Sequence, residues 1–597
     1  MAPPIRLPPP PARPWCTRNV ASSSRASLIL FSFFVAACIF ISITGNYLWL
    51  RGPASYTNIH SISMGGGGEV VNASAHRPRD GKKKQPPQPL HAFPGSLDCS
   101  NHGGPANELA ADMIYWSDIP SDRAFKSPFY SNDTTKYLTF EPDFAGFNNM
   151  RMAFETITLL AHSMGRTLVM PPSEGVYWLH NKPFSFHDVY DIGKISSEHA
   201  GLDIITMEQF LKAEAMTGNL TNKDAGTVTY PPDNNRTNWN FPALAGGDMR
   251  ILKEYLRSVA FTAENWQPGE CLASFPNGTE PWHYPVMKYF LRNVTHNFGG
   301  PYPNWKEYFD NSRVQVNASS IERLREAIVG GYGGAIRRLC LYDENMVEKP
   351  ILHFPCCKKE QRMLTHHYFF LYFMDWKHDL WSKRFVRDNL RYRDMIQCAA
   401  ARVVNAVRQR ARDRDNKSNP DGEYDSFHIR RGDLVKQYKN TGTSADEIYQ
   451  NSKEELRGNA TVFVATDHDD RDFFAPLTSK YDVVFLDDFK EELAGVDKLY
   501  YGMIDQLVAS RGRVFFGCFQ STFSNFIFRI RAWRSQRDKL EGYENGTFDN
   551  SFYYIQPNKT YVYRQYSAMS SPTYMREWPV AWKNMDRGIG ELGKDDA

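Results

Sequence analysis

Four short segments of this chain place guanidinium, carboxylate, hydroxyl or amide groups where the backbone leaves an apolar run. Phe427-His-Ile-Arg-Arg-Gly-Asp-Leu434 ends a strand candidate with a histidine, two arginines and an aspartate. The carboxyl ends of parallel strands are where ligands bind, and a guanidinium offers a rigid fork that matches a phosphate bidentately. Alternation along the strand sends His428 and Arg430 to one side and Arg431 to the other, which makes Arg430 the candidate phosphate ligand. The competing reading is an ion pair of either arginine with Asp433. Gly517-Cys-Phe-Gln-Ser-Thr-Phe-Ser-Asn-Phe526 follows another strand candidate and opens a helix. Hydroxyls and free N–H groups at a helix N-terminus make an anion site, so Ser521 and Thr522 are candidate donors to a diphosphate, against ordinary N-capping.

The third segment, Phe463-Val-Ala-Thr-Asp-His-Asp-Asp470, closes a strand with Asp467. Asp467-His468-Asp469 fits the Asp-x-Asp pattern that holds a divalent cation, because hard cations want carboxylate oxygens; alternatively Asp467 accepts hydrogen bonds from a base or ribose. The fourth, Ala145-Gly-Phe-Asn-Asn-Met-Arg151, turns from a strand into a helix. Gly146 permits close backbone approach and Asn148 and Asn149 can bond a ligand, unless the stretch is only a turn with an Asn cap.

These loops need elements to hold them. Tyr137-Leu-Thr-Phe140, an apolar-periodic stretch over 149–164 stopped by Gly165, and Thr167-Leu-Val-Met170 closed by Pro171-Pro172 predict one β-α-β unit. Residues 200 to 360 read only as loops and short elements completing a first domain. A basic amphipathic segment from Trp381 to about Arg412 predicts a long helix, with Phe385, Leu390, Met395, Ile396 and Val403 inward. After a polar linker, strand candidates recur at 426–429, 461–465, 482–486 and 513–516, separated by helix-length segments, which is the signature of a parallel sheet. The predicted class is therefore α/β, with two facing Rossmann-like domains, 96–380 and 381–597, and a ligand in the cleft between them.

Upstream lies a different kind of sequence. Ala26 to Leu50 carries no charge, long enough as a helix to span a bilayer, and Arg6, Arg13, Arg18 and Arg25 precede it without an acidic residue. This predicts a cytoplasmic tail over 1–25, a signal anchor over 26–50 and a lumenal remainder, rather than a cleaved signal peptide. Residues 51–95, with Gly65 to Gly68, Lys82 to Lys84 and Pro86-Pro87, predict a flexible stem. Eleven Asn-x-Ser/Thr sequons fit that topology. Seven cysteines follow the anchor, Cys99, Cys271, Cys340, Cys356, Cys357, Cys398 and Cys518; in an oxidising lumen most should pair and at least one is left over. His366 and His367 precede an aromatic run and read as structural. At 597 residues, with 70 Lys plus Arg against 67 Asp plus Glu, the chain has the size of several domains and no global field for nucleic acid.

Taken together, the segments resemble the GDP-fucose protein O-fucosyltransferase family, with more distant similarity to α1,6-fucosyltransferases. Gly146-Phe-Asn-Asn149 resembles the family's first glycine/asparagine loop, His428-Ile-Arg430 its His-x-Arg motif, Val464-Ala-Thr-Asp467 its Ala-Thr-Asp segment, and Ser521-Thr-Phe-Ser524 its Ser-Thr-Phe-Ser loop. The resemblance implies a GT-B fold, transfer of fucose from GDP-fucose with inversion to a protein Ser/Thr or glycan hydroxyl, and no metal or cofactor. It implies that Arg430 binds the β-phosphate and stabilises leaving GDP, that His428 and Asp467 contact the nucleoside, that Ser521, Thr522 and Phe523 line the diphosphate site, and that Gly146, Asn148 and Asn149 approach from the other domain. The implied setting is a type II membrane glycoprotein of the Golgi or endoplasmic reticulum. One departure is Ala145, where some relatives carry a Glu that resembles the general base; Glu141 and Asp143 lie a few residues upstream. Two alternatives stand beside this reading: a metal-dependent transferase using another nucleotide sugar through Asp467-His468-Asp469, and an inactive lumenal binding protein of the same fold.

Overall fold

The computed structural model describes residues 95–143, 145–215, 246–263, 271–276, 338–356, 370–373, 375–437, 442–540 and 550–554, with isolated positions at 220–222, 226–227, 266 and 585. The predicted tail, anchor and most of the stem, the pair His366-His367, and the sequons other than Asn132, Asn416 and Asn459 lie outside the described residues. Those three asparagines are all exposed. Among the described residues no helix is long and apolar enough to cross a membrane.

The first half builds the predicted β-α-β unit from β1 (Tyr137–Phe140), α1 (Phe147–Ser163) and β2 (Thr167–Met170). Gly165 stops α1 at φ +62°, and a Cβ there would fall 2.4 Å from the carbonyl oxygen of Phe129, so only glycine makes this turn. The segment read as loops contributes β3 (Ile204–Thr206), α2 (Gly246–Val259), β4 (Phe261–Thr262) and β5 (Ile351–Phe354). These strands are two to four residues long, too short to show a period in sequence. All five pair in parallel in the order β3-β2-β1-β5-β4.

The stretch predicted as one helix from Trp381 is two: α3 (Trp376–Asp388) and α4 (Asp394–Arg414). Asn389 closes α3 and Arg393, at φ −52° and ψ 150°, precedes α4 in an extended conformation. The break turns Tyr392 inward, where it is buried. Phe385, Leu390, Ile396 and Val403 are buried as expected and Met395 partly so.

The second half follows the sequence closely. β6 (Asp425–Ile429), β7 (Thr461–Thr466), β8 (Asp482–Val484), α5 (Tyr501–Ser510), β9 (Phe515–Gly517), α6 (Thr522–Asp538) and β10 (Ser551–Tyr553) form a second parallel sheet in the order β8-β7-β6-β9-β10. β10 is the strand that sequence reading missed. Alternate residues serve opposite faces: Phe427, Val462, Val464 and Phe516 pack on one side, Phe463, Ala465 and Phe515 on the other with α5 and α6. Burial on both faces explains why these strands read as near-continuous apolar runs.

Residues Pro89–Ala597 make one compact unit. A disulfide between Cys99 and Cys398, 299 residues apart, ties its first segment to α4. Cys340 and Cys356 are also disulfide-bonded, and the buried Cys518 is in no disulfide. Closing so long a loop restricts the unfolded chain, so Cys99→Ala with Cys398→Ala should lower stability by about 2–4 kcal/mol in a denaturant titration. An unchanged midpoint would mean that the packing of α4 alone holds the N-terminal segment.

Candidate active site

The predicted residues gather at the carboxyl ends of β6 and β7 and at the N-termini of α1 and α6. β6 ends at Ile429, and Arg430 continues into a loop where its two Nη groups pair with Asp467, at the end of β7, and with Asp433. Asp467 also accepts from the backbone N–H of Arg431 at 2.7 Å. The competing ion-pair reading for Arg430 is thus present, together with a partner that sequence reading had not paired with it. The oxygens of Asp467 face the Arg430–Arg431 turn, so the aspartate aims the guanidinium. Gly432 makes room for this, since a Cβ there would sit 2.1 Å from Asp467 Oδ2. Arg431 goes elsewhere, donating to the Thr443 carbonyl at 2.8 Å and lying 4.2 Å over the Phe473 ring.

His428 is buried and stacks on Phe523 at 4.2 Å between ring centroids. Its Nδ1 lies 2.6 Å from Ser524 Oγ, which itself accepts the backbone N–H of Cys518 at 2.8 Å. Burial first, and then the Arg430 charge, hold this imidazole well below its ordinary pKa, so it is neutral. We assign the hydroxyl proton to Nδ1, which leaves the ring N–H on Nε2 as the donor. Gly517 is needed where the strand meets this pair, because a Cβ would approach Ser524 Cβ to 2.9 Å.

Ser521 is the N-cap residue of the 17-residue helix α6, yet its side chain makes no capping hydrogen bond. The first-turn N–H groups of Thr522 and Phe523 are left without that cap, as an anion site requires. At the other wall Gly146 precedes α1, again with no side-chain cap. Asn148 is buried and its Oδ1 accepts from Gln506 of α5 at 2.9 Å and from Arg151 at 3.3 Å; the Oδ1 of Asn149 is buried with no hydrogen-bond partner among the described residues.

Glu141 has no freedom to act as a base. It accepts Arg257 at 2.7 Å on each oxygen, His353 Nε2 at 3.1 Å and the backbone N–H of Cys356 at 3.1 Å. Burial pushes its pKa up, but the bonds from His353, Arg257 and Cys356 outweigh that and hold it at about 2. Asp143 is buried. Sequence reasoning missed Gln506, Ser524 as the partner of His428, and Tyr554, whose hydroxyl accepts the Arg430 backbone N–H at 3.3 Å. Only Ser524 carried a signal, its place in the Ser-Thr-Phe-Ser run. Among the described residues no group of three or more His, Cys, Asp or Glu side chains is gathered as a metal site would need.

A guanidinium fixed at a strand end, a neutral histidine and an uncapped helix N-terminus together suit a diphosphate. The sequence profile of the family described as GDP-fucose protein O-fucosyltransferase matches residues 137–534. Among curated protein sequences no match was found. Similar solved structures include POFUT1 in complex with GDP-fucose, 14% identical over 68% of this chain and 96% of that one with a TM-score of 0.30. POFUT1 in complex with GDP shows 14% identity, the same coverage and a TM-score of 0.31. The NodZ α-1,6-fucosyltransferase soaked with GDP-fucose is 10% identical over 66% of this chain and 93% of that one, with a TM-score of 0.28. At such scores these likenesses carry no argument; the family profile does.

Proposed function

Since this chain belongs to the GDP-fucose protein O-fucosyltransferase family and is a GDP-fucose-dependent glycosyltransferase, we propose that it moves fucose, with inversion and without a metal, to a hydroxyl of a protein Ser/Thr or a glycan. The reading takes the fold as GT-B, with the second sheet holding the nucleotide and the first facing the acceptor. It places the enzyme lumenally, as a single-pass type II protein of the Golgi or endoplasmic reticulum; the charge-free run over 26–50 and the sequons support this.

In the proposed step the acceptor oxygen attacks the anomeric carbon from the side opposite GDP, and the bond from that carbon to the β-phosphate oxygen breaks. The electron pair leaves on GDP, where Arg430 and the N–H groups of α6 meet the growing negative charge. The acceptor proton passes to solvent as the new bond forms. Asp433 is nearly half exposed, so its pairing with Arg430 is weak and yields to a phosphate, while Asp467 keeps the guanidinium aimed. His428 offers Nε2–H, and Phe523 packs behind it. The observation that carries the reading is Arg430, held by Asp467 two residues beyond His428, which stacks on Phe523 in the uncapped first turn of α6.

Thermal melts of the full chain with GDP, GDP-fucose, UDP and ADP, each with and without EDTA, test it. A ligand at a hundredfold its dissociation constant adds about 2.7 kcal/mol. Stabilisation by the guanine nucleotides alone, unchanged by EDTA, is the expected result. A response to UDP that EDTA abolishes would replace the proposal with the metal-dependent alternative.

A further inference from the structure

A buried line of side chains joins the two halves behind the donor loops. Tyr392, in the break between α3 and α4, donates its hydroxyl to Gln506 Oε1 at 2.7 Å. Gln506 Nε2 donates to Asn148 Oδ1 at 2.9 Å, and lies 3.4 Å from the carbonyl oxygen of Phe523, the residue stacked on His428. Tyr392, Gln506 and Asn148 are all buried.

Amide orientation is often ambiguous, but one donor here fixes it. Arg151 Nε can only donate. Its partner at 3.3 Å must therefore be the oxygen of Asn148, the Gln506 atom facing that oxygen must be nitrogen, and the remaining Gln506 atom must be an oxygen that accepts from Tyr392. Arg151 is itself fixed by Glu155, which also pairs with Arg529 of α6 at 2.9 Å.

We propose that Gln506 is a positioning residue: by donating to Asn148 Oδ1 it commits that oxygen to the interior, so that Asn148 serves the donor site only through its NH2, toward a phosphate or sugar oxygen. This rests on the reading above that Asn148 approaches GDP-fucose. The line also keeps the α1 and α6 loops in one register, because the same amide reaches Phe523.

The test replaces the amide nitrogen by an oxygen. In Gln506→Glu the ionised carboxylate cannot donate to Asn148 Oδ1, whereas the protonated acid can, with its carbonyl still accepting from Tyr392. Burial raises the pKa of the introduced carboxyl, which brings its titration toward neutral pH. The other titratable and charged groups close to this line include Arg151 and Glu155 of α1, Arg529 of α6, Tyr392, Tyr190 and Tyr115, and Asp505 beside Gln506 in α5, whose carboxyl burial raises well above the usual range and which is common to all three proteins compared. Burial pushes the Tyr115 hydroxyl up to about 12 and raises those of Tyr190 and Tyr392 well above their ordinary value, and His428, on the far side of Phe523, is held neutral. The tyrosines and His428 therefore add no titration near neutral pH.

GDP-fucose affinity of the full chain is measured by calorimetry between about pH 5.5 and about pH 8.5 for the wild type, Gln506→Glu and Gln506→Leu. The expected loss in Gln506→Glu is about tenfold at the alkaline end, recovering most of the way at the acid end, while Gln506→Leu is weakened at both. A Gln506→Glu affinity that tracks the wild type at every pH, or a Gln506→Leu variant that binds like the wild type, overturns the proposal. Should the wild type bind no GDP-fucose, the proposed function fails, and the line is then judged from melting temperatures. The folded-state pKa of the introduced carboxyl lies above its unfolded value, so the deficit of Gln506→Glu against wild type must shrink as pH falls through it. A deficit constant with pH overturns the line itself.

Discussion

Arg430→Ala should lower turnover of GDP-fucose by about 10²- to 10³-fold, the usual cost of removing one group that meets charge in the transition state. The guanidinium is the charged side chain at the end of β6, and Asp467 from the neighbouring strand holds it. Its loss leaves the departing diphosphate with neutral donors, the hydroxyls and N–H groups at the start of α6, and no positive charge on the proposed site. Arg430→Lys should fare little better, because an ammonium is a point charge and cannot keep Asp467 on one edge while offering a second edge to phosphate. The measurement is release of GDP from GDP-fucose, with a melting curve to show that each variant folds. Near-normal turnover in Arg430→Ala would remove the central assignment.

Glu155→Ala should be the most damaging change to the fold. Glu155 lies between Arg151 of α1 and Arg529 of α6, and none of the three side chains is more than 1% exposed. Removing this carboxylate takes from two buried guanidiniums the counter-charge they share, and breaking a buried pair in this way costs about 3–5 kcal/mol. Arg151 also lies 3.8 Å over the Phe526 ring, so it cannot swing out to water without opening the contact between the two helices. A denaturant titration should show the midpoint fall by that amount. GDP-fucose affinity should fall with it, since Arg151 anchors Asn148. A loss below about 1 kcal/mol would mean that water reaches the pair, as it does in exposed bridges.

The sequence by itself determined the parts of this protein that depend on neighbours along the chain. The strand over 425–429 buries Phe427 and Ile429 in its core, and His428, Arg430 and Asp433 cluster at its carboxyl end. The Ser-Thr-Phe-Ser run opens α6, and Gly165 stops α1, because turn and helix-end chemistry is local. The same locality failed for the strands of two to four residues in the first sheet, and for the helix broken at Asn389 to Arg393, whose apolar period continues across the break.

Only the tertiary structure decided what the chemical groups are bonded to. Asp467 offered two readings in sequence, metal ligand or nucleoside contact, and the fold turns it onto Arg430, 37 positions away. Glu141, free on paper, is tied to Arg257 and His353 from other elements. Gln506 sits in an unremarkable stretch of α5 and gains its role from Asn148, 358 residues earlier. A hydrogen bond needs its donor and acceptor within about 3 Å, and no period or propensity of either segment reports that distance until the chain has folded.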